Sequence, residues 1–204
     1  NAMAEIAEVS GADAVALAEA IGYDERIGNK FLRNGIGFGG GCLPKDIRAF
    51  MARAEELGVG QAVDFLEDVD QVNLRRRARV VDILKNELGD LAGKRVLVLG
   101  AAFKPDSDDL RDSPSIAVAK LIKAAGAEVV VTDPISLDHV RAQNPEFIAE
   151  QDLVAAATGA DALVLATEWS HYRELHVPKE LAPVVKNKLI IDGRNALKVD
   201  AWQA

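Results

Sequence analysis

The sequence has one cysteine, Cys42, two methionines, and an aromatic content of only 5% in 204 residues. A lone cysteine excludes an internal disulfide, and without a CxxC partner it excludes a thiolate metal cage. No apolar run reaches the roughly 18 residues a transmembrane helix needs. Positive charge is in deficit: 24 Lys and Arg against 32 Asp and Glu give a formal net charge of −8. That balance is a poor basis for holding a nucleic-acid backbone, so no nucleic-acid partner is expected. No charged and then apolar leader opens the chain, so no signal peptide is read. A reducing compartment, the cytoplasm, is the default expectation.

What is present is ordinary globular composition, 49% hydrophobic and 27% charged, at a length suiting one or two domains. Asn1-Ala2-Met3 reads as the remnant of an expression tag. A helical pattern then starts at Ala4 with no capping residue before it, as expected of a piece of a longer protein. Residues 4–60 read as a helix, a glycine-rich loop and a second helix, the latter with Ile47, Phe50, Met51, Ala54 and Leu57 near a 3.6-residue period. Gly58 and Gly60 end it. From Gln61 to Leu88 there is no Gly or Pro, and Ala62, Leu66, Val69, Asn73, Arg76, Val80, Ile83 and Leu88 fall near one stripe. The spacing predicts a single helix over 61–88, about 42 Å long, suited to joining two domains or packing on a copy of itself. The run Arg75-Arg76-Arg77-Ala78-Arg79 reads as a solvated or salt-bridged helix face.

Beyond Gly93 the pattern changes. The runs 95–99, 128–132, 162–166 and 189–191 are short and rich in Val, Ile and Leu, and helical stretches such as 113–125 and 151–157 lie between them. Continuous apolar strands alternating with helices predict a doubly wound parallel sheet covered on both faces. The expected division is a central all-helical domain over 4–92 and a Rossmann-like α/β domain over 93–204. Ligands of such sheets sit beyond the carboxyl ends of the strands, which directs attention to 100–111, 133–134, 167–171 and 192–195. Trp169 and Trp202 read as packing residues.

Five of the 16 glycines crowd into residues 35–41, directly before Cys42-Leu43-Pro44-Lys45-Asp46. Glycine lets a backbone approach a ligand closely, and Pro44 suits the first turn of a helix. Cys42 then stands at a helix N-terminus, which favours the thiolate, with Lys45 adding positive charge. Asp46, one turn on, is placed to hold a water for attack on a thioester. The bland alternative is a structural cysteine beside a flexible loop. A papain-like Cys–His pair is disfavoured, because His139, His171 and His176 all lie in the α/β half.

The segment Phe31 to Asp46 resembles the active-site segment of the UDP-glucose/GDP-mannose dehydrogenase family. The likeness continues through Arg26-Ile27-Gly28, Val72-Asn73, Ala102 to Pro105, Asp108 to Arg111, Thr132-Asp133-Pro134 and Asp192 to Asn195. The resemblance implies oxidation of a sugar C6 alcohol to a carboxylate in two NAD-dependent steps through a cysteine thiohemiacetal and thioester. It assigns catalysis to Cys42 and Asp46. It assigns substrate contacts to Phe31, Leu32, Arg33, Asn34, Gly35, Phe38, Gly39, Phe103, Lys104 and Arg194, and to Arg26 reaching a neighbouring subunit. Lys45 and Arg111 fall on the NAD side, and the long helix is expected to build a homodimer. GFGGxC followed by PKD resembles the UDP-glucose branch, with GDP-mannose enzymes the nearest alternative and a non-catalytic nucleotide-sugar-binding module another. A signalling receiver domain is disfavoured, since no acidic pair follows the first strand; a dimerising scaffold is compatible with the rest. Simpler readings remain for single residues: Lys104 solvated, Arg194 satisfying a strand-end carbonyl, Phe31 and Phe38 in the core. The first strand of the α/β half ends in Leu99-Gly100-Ala101-Ala102, lacking the second and third glycines of a dinucleotide fingerprint. NAD is therefore expected to be bound mainly by a domain outside this chain, and the chain alone to be inactive.

Overall fold

A computed structural model describes residues 1–203. The first half is helical: α1 (Ala2–Ser10), α2 (Ala14–Gly22), α3 (Leu43–Glu56) and α4 (Phe65–Leu88). The second is a five-stranded sheet with helices between the strands: β1 (Arg95–Leu99), α5 (Pro114–Ala124), β2 (Glu128–Thr132), α6 (Leu137–Gln143), β3 (Ile148–Ala149), α7 (Leu153–Ala157), β4 (Ala162–Leu165), α8 (Val177–Leu181), β5 (Ile190–Asp192) and α9 (Val199–Gln203). The order is β3-β2-β1-β4-β5, all parallel, with Leu97 of β1 opposite Val130 on one side and Leu163 on the other.

The alternation of side chains along the strands divides the core. Val96, Val98, Val129, Val131 and Val164 face α5, through Val118, Ala119 and Ile122. Leu97, Leu99, Val130, Leu163 and Leu165 face α7, α8, Trp169 and Tyr172, with Trp202 packed at the margin. Both faces are dry, which is why these strands read as unbroken apolar runs. Val80 and Leu84 of α4 join the first cluster. Each contributes up to about 1.5–3 kcal/mol by burial, and together they dock the helical half on the sheet.

Several elements differ from expectation. The first helical region is two helices, because Gly11 takes a left-handed φ of 74° and Asp13 caps α2 by accepting from the N–H groups of Val15 and Ala16. The long helix begins at Phe65, after a 3-10 turn over Gly60–Ala62, and is about 36 Å long. Its buried stripe is Asp70, Asn73, Arg77, Val80 and Leu84, in place of Val69, Arg76 and Ile83. Polar residues face inward at its first half because the glycine loop lies against them, offering backbone N–H and C=O groups that need partners. The apolar stripe of α3 is largely exposed, Phe50 and Leu57 included, with Ala54 buried. Strand β3 and helices α6, α8 and α9 are too short to announce themselves by periodicity. No described helix is long and apolar enough to cross a membrane.

Candidate functional site

Cys42 is the N-cap of α3, with Pro44 in the helix's first turn, and it is exposed. Its carbonyl accepts the Asp46 N–H at 2.8 Å, which closes that turn. Lys45 Nζ pairs with Asp46 Oδ1 at 2.9 Å. This bond to Asp46 holds the Lys45 ammonium above its ordinary range, with a smaller push from the Cys42 thiolate charge. Arg111 is raised in the same way, first by Asp109 and more weakly by Cys42. Two cations therefore stand within electrostatic reach of the sulfur.

The glycine loop before Cys42 has neither helix nor strand to hold it, and it is fastened instead at a few backbone groups, most of them on Ile36, Gly37 and Phe38. The Phe38 N–H donates to Asn73 Oδ1 at 2.8 Å, and the Phe38 carbonyl accepts from Asn73 Nδ2 and Arg77 Nη2, each at 2.8 Å. The Gly37 carbonyl accepts from Arg194 Nη1 at 2.9 Å. The Ile36 N–H donates to the Gly193 carbonyl at 2.8 Å, and the Gly40 N–H to the Arg111 carbonyl at 3.1 Å. Such close approach explains the glycines. A Cβ on Gly40 would lie 2.9 Å from the Phe103 ring at a φ of +95°, and one on Gly37, at +90°, would overlap the Asn73 amide. Gly35, Gly37 and Gly40 fall at the G-x-G-x-x-G spacing, but no strand precedes them, so the match lacks the strand-to-helix setting a dinucleotide fingerprint requires.

The loop forms one wall of a cleft of about 730 Å³ between the two halves. Phe31, Leu32, Arg33, Asn34, Gly35, Phe38 and Gly39 line it from the helical side, and Phe103, Lys104 and Arg194 from beyond the carboxyl ends of β1 and β5. Asn29, Glu168 and Arg173 also line it; neither periodicity nor the resemblance had singled them out. Phe31 is not core: it is 80% exposed at a φ of +63°, its ring tilted on Phe38. Lys104 holds its ammonium 5.5 Å from the centre of the Phe103 ring. Arg194 does satisfy a strand-end carbonyl, donating from Nε to Ala166 O at 2.7 Å, yet its buried Nη2 has no hydrogen-bond partner. Glu168 Oε2 beside it is likewise without a hydrogen bond, 3.4 Å from Arg194 Nε. Burial lowers the Arg194 pKa.

Five of the expected residues lie off this cleft. Cys42, Lys45, Asp46 and Arg111 stand together at the head of α3, joined to the cleft by Gly40 on the Phe103 ring and by Gly41 on the Arg111 guanidinium. Arg26 is fully turned outward and pairs with Asp24 at 2.7 Å; it is not brought to the cleft of its own chain. The arginine run is salt-bridged throughout: Arg75 to Glu5, Arg76 and Arg79 to Glu8, and Arg77 to Asp112. Arg76 and Arg77, however, are turned inward on the glycine loop rather than solvated.

The sheet does not fit NAD. Helix α5 starts well beyond the end of β1, and Ser113 already caps it, accepting from the Ile116 N–H. Asp133, at the end of β2 where a ribose-binding carboxylate would stand, is 1% exposed. Its oxygens accept from the N–H groups of Ala101, Ala102, Ile135 and Ser136 and from Trp169 Nε1.

Comparison with known proteins gives a match to each half of the chain. Residues 1–75 match the central domain, and residues 97–199 the UDP binding domain, of one dehydrogenase family. The UDP-glucose 6-dehydrogenase TuaD of Bacillus subtilis is 36% identical over 100% of this chain, and the UDP-glucose 6-dehydrogenase of Rhizobium meliloti 38% over 98%. The chain spans 44% and 45% of those two relatives. A UDP-glucose dehydrogenase from the archaeon Pyrobaculum islandicum superposes with a TM-score of 0.82 at 34% identity, over 94% of this chain and 42% of that one. With a central-domain match ahead of a UDP-binding-domain match, and a cleft between the two, the chain belongs to the UDP-glucose/GDP-mannose dehydrogenase family.

Proposed function

We propose that residues 4–92 and 93–204 act together to bind UDP-glucose in the cleft between them. Cys42 serves as the nucleophile in its oxidation to UDP-glucuronate, as part of a longer enzyme. The observation that carries this reading is the loop 35–41: one stretch of backbone lines the cleft and ends on the only thiol of the chain. A volume near 730 Å³ is in the range of small-molecule sites. Lys104, Arg33 and the free Nη2 of Arg194 supply donors suited to a diphosphate, and Glu168 an acceptor for a hydroxyl. Nucleotide-sugar relatives named for UDP-glucose favour that sugar over GDP-mannose.

The chemistry assigned to this chain is the covalent part. At the aldehyde stage the Cys42 sulfur bonds to C6 and the carbonyl oxygen takes a proton, giving a hemithioacetal. At the thioester stage water adds to the carbonyl carbon, Asp46 takes one of its protons, and the C–S bond breaks to return the thiolate and a carboxylic acid, which gives its remaining proton to solvent. Lys45 and Arg111 hold positive charge beside the sulfur while it is ionised. The hydride losses before and between these steps need an acceptor, NAD by the resemblance, which the strand ends of this sheet are not built to hold. Arg26 acts on the cleft of a second copy, and α4 helps to build that dimer.

The reading is tested by titrating the chain with UDP-glucose and with GDP-mannose while Cys42 is alkylated by iodoacetamide. UDP-glucose is expected to slow alkylation and GDP-mannose to do so only at higher concentration. Equal alkylation with UDP-glucose bound and absent overturns it.

A further inference from the structure

Two structures fix where the Cys42 sulfur stands: the glycine loop that leads to it, and helix α3, which starts at it. One carboxylate joins them. Arg77, on α4, is 4% exposed. Its Nη2 holds the Phe38 carbonyl of the loop at 2.8 Å, and its Nη1 donates to Asp112 Oδ1 at 3.1 Å. The other oxygen of Asp112 accepts from Arg48 Nη1 at 3.0 Å. Arg48 lies on α3, and it also grips Asp70 of α4 through Nε and Nη2, at 2.9 and 3.0 Å. Asp112 is therefore shared between a side chain that grips the loop and one carried by the helix that Cys42 heads.

The backbone at Asp112 adds a second observation. Its φ is +44°, a left-handed conformation that a side-chain-bearing residue adopts only at some expense. Aspartate is among the few side-chain-bearing residues that tolerate it. Its main-chain oxygen also lies directly on Gly39, where a Cβ would overlap it. Asp112 does not itself line the cleft. Arg77 is buried, but the Asp112 side chain is 24% and that of Arg48 45% exposed, so the pair between them adds little net stability; what it joins is α3 and the arginine that holds the loop.

We propose that Asp112 is a positioning residue for Cys42: its carboxylate, shared between Arg77 and Arg48, sets helix α3 against the glycine loop so that the sulfur meets a sugar bound in the cleft. This rests on the reading of Cys42 as the nucleophile facing a bound nucleotide-sugar. No group transfer passes through Asp112. It acts only through the two arginines.

The test uses the chain as it is, with the variants Asp112→Asn, Arg48→Gln and Asp112→Glu. Cys42 is alkylated with iodoacetamide, with and without saturating UDP-glucose, so that changes in affinity drop out, and the Kd of UDP is measured in parallel by calorimetry. In the unaltered chain, saturating UDP-glucose is expected to slow alkylation about tenfold or more. In Asp112→Asn and Arg48→Gln the slowing is expected to fall to about threefold or less, with the Kd of UDP within about threefold of the original. Asp112→Glu is expected to recover most of the slowing. A purely structural role would lower Tm and leave the slowing at saturation unchanged, and that result overturns the proposal. Should Asp112→Asn not fold, Arg48→Gln, at a half-exposed position, decides between the same two outcomes. An unaltered chain that binds UDP-glucose without any slowing overturns the assignment of Cys42 itself, and this proposal with it.

Discussion

Replacing Asp133 by asparagine tests how the substrate-side wall of the cleft is held. The carboxylate has no cationic partner among its hydrogen bonds; five N–H donors surround it instead. Asparagine offers one acceptor oxygen and a donor NH₂. If that oxygen takes the place of Oδ2, it keeps Ala101, Ala102 and Trp169. The NH₂ then confronts the N–H groups of Ile135 and Ser136, which lose their acceptor. Ser136 is buried, and its orphaned N–H costs about 1–3 kcal/mol; Ile135 is exposed, so its N–H turns to water, and the remaining bonds lose the extra strength of a charged acceptor. The expected total is about 2–4 kcal/mol, and for a chain of this length that lowers Tm by about 4–16 °C. Urea and thermal unfolding followed by circular dichroism read the value directly. Ala101 and Ala102 lead straight into Phe103 and Lys104, so the affinity for UDP-glucose falls with the stability. A destabilisation under about 1 kcal/mol would refute the reasoning, since it would mean that the five donors find other partners.

Other outcomes follow from the same geometry. Gly40→Ala puts a Cβ 2.9 Å from the Phe103 ring at a φ of +95°; we expect about 1–3 kcal/mol of destabilisation in denaturant melts, together with weaker UDP-glucose binding. Asp161 is buried, and burial opposes its charge, but the Lys186 ammonium at 2.9 Å and the Arg95 N–H hold its carboxyl below the ordinary 3.8. A depressed carboxyl stabilises the fold above that ordinary value, and the contribution is lost as pH falls through the lower folded one. Lys186→Met should therefore shift acid unfolding, followed by near-ultraviolet circular dichroism, to higher pH; an unchanged midpoint would contradict the pairing. Incubated with NAD and UDP-glucose, the chain by itself should form no NADH above background, and clear absorbance growth at 340 nm would mean that it does cradle the cofactor.

The sheet was legible because β1, β2 and β4 are dry on both faces and so carry unbroken Val and Leu, and the edge strand β5 still shows Ile190 and Ile191. Strand β3 was not, since two residues, Ile148 and Ala149, carry no pattern. The break between α1 and α2 was written in Gly11 and Asp13, signals that were present and passed over. Cys42, the glycines and Pro44 announced a thiol at a helix start from local sequence alone. The sheet-side wall of the cleft was legible as strand-end segments, which hold Phe103, Lys104, Glu168 and Arg194, whereas the helical-side residues 31–39 came with the family resemblance. What no local pattern could show was the grip of Asn73 and Arg77 on Phe38, or of Asp112 on Arg48 and Arg77. Those contacts join residues 35 to 64 positions apart, and an inward-facing Asn or Arg on a helix looks the same in sequence as a solvated one.

Helix α4 meets different surfaces with one edge: Asn73 and Arg77 fasten the loop, Asp70 takes Arg48 of α3, and Val80 and Leu84 enter the sheet core. One residue added or removed between Arg77 and Val80 would rotate one set by about 100° relative to the other. The loop would lose its fastenings, or the helix its seat. Substitutions on the outward side of α4 leave this relation untouched, whereas the residue count from Asp70 to Leu84 acts as a gauge that keeps the thiol-bearing half in step with the nucleotide-facing half.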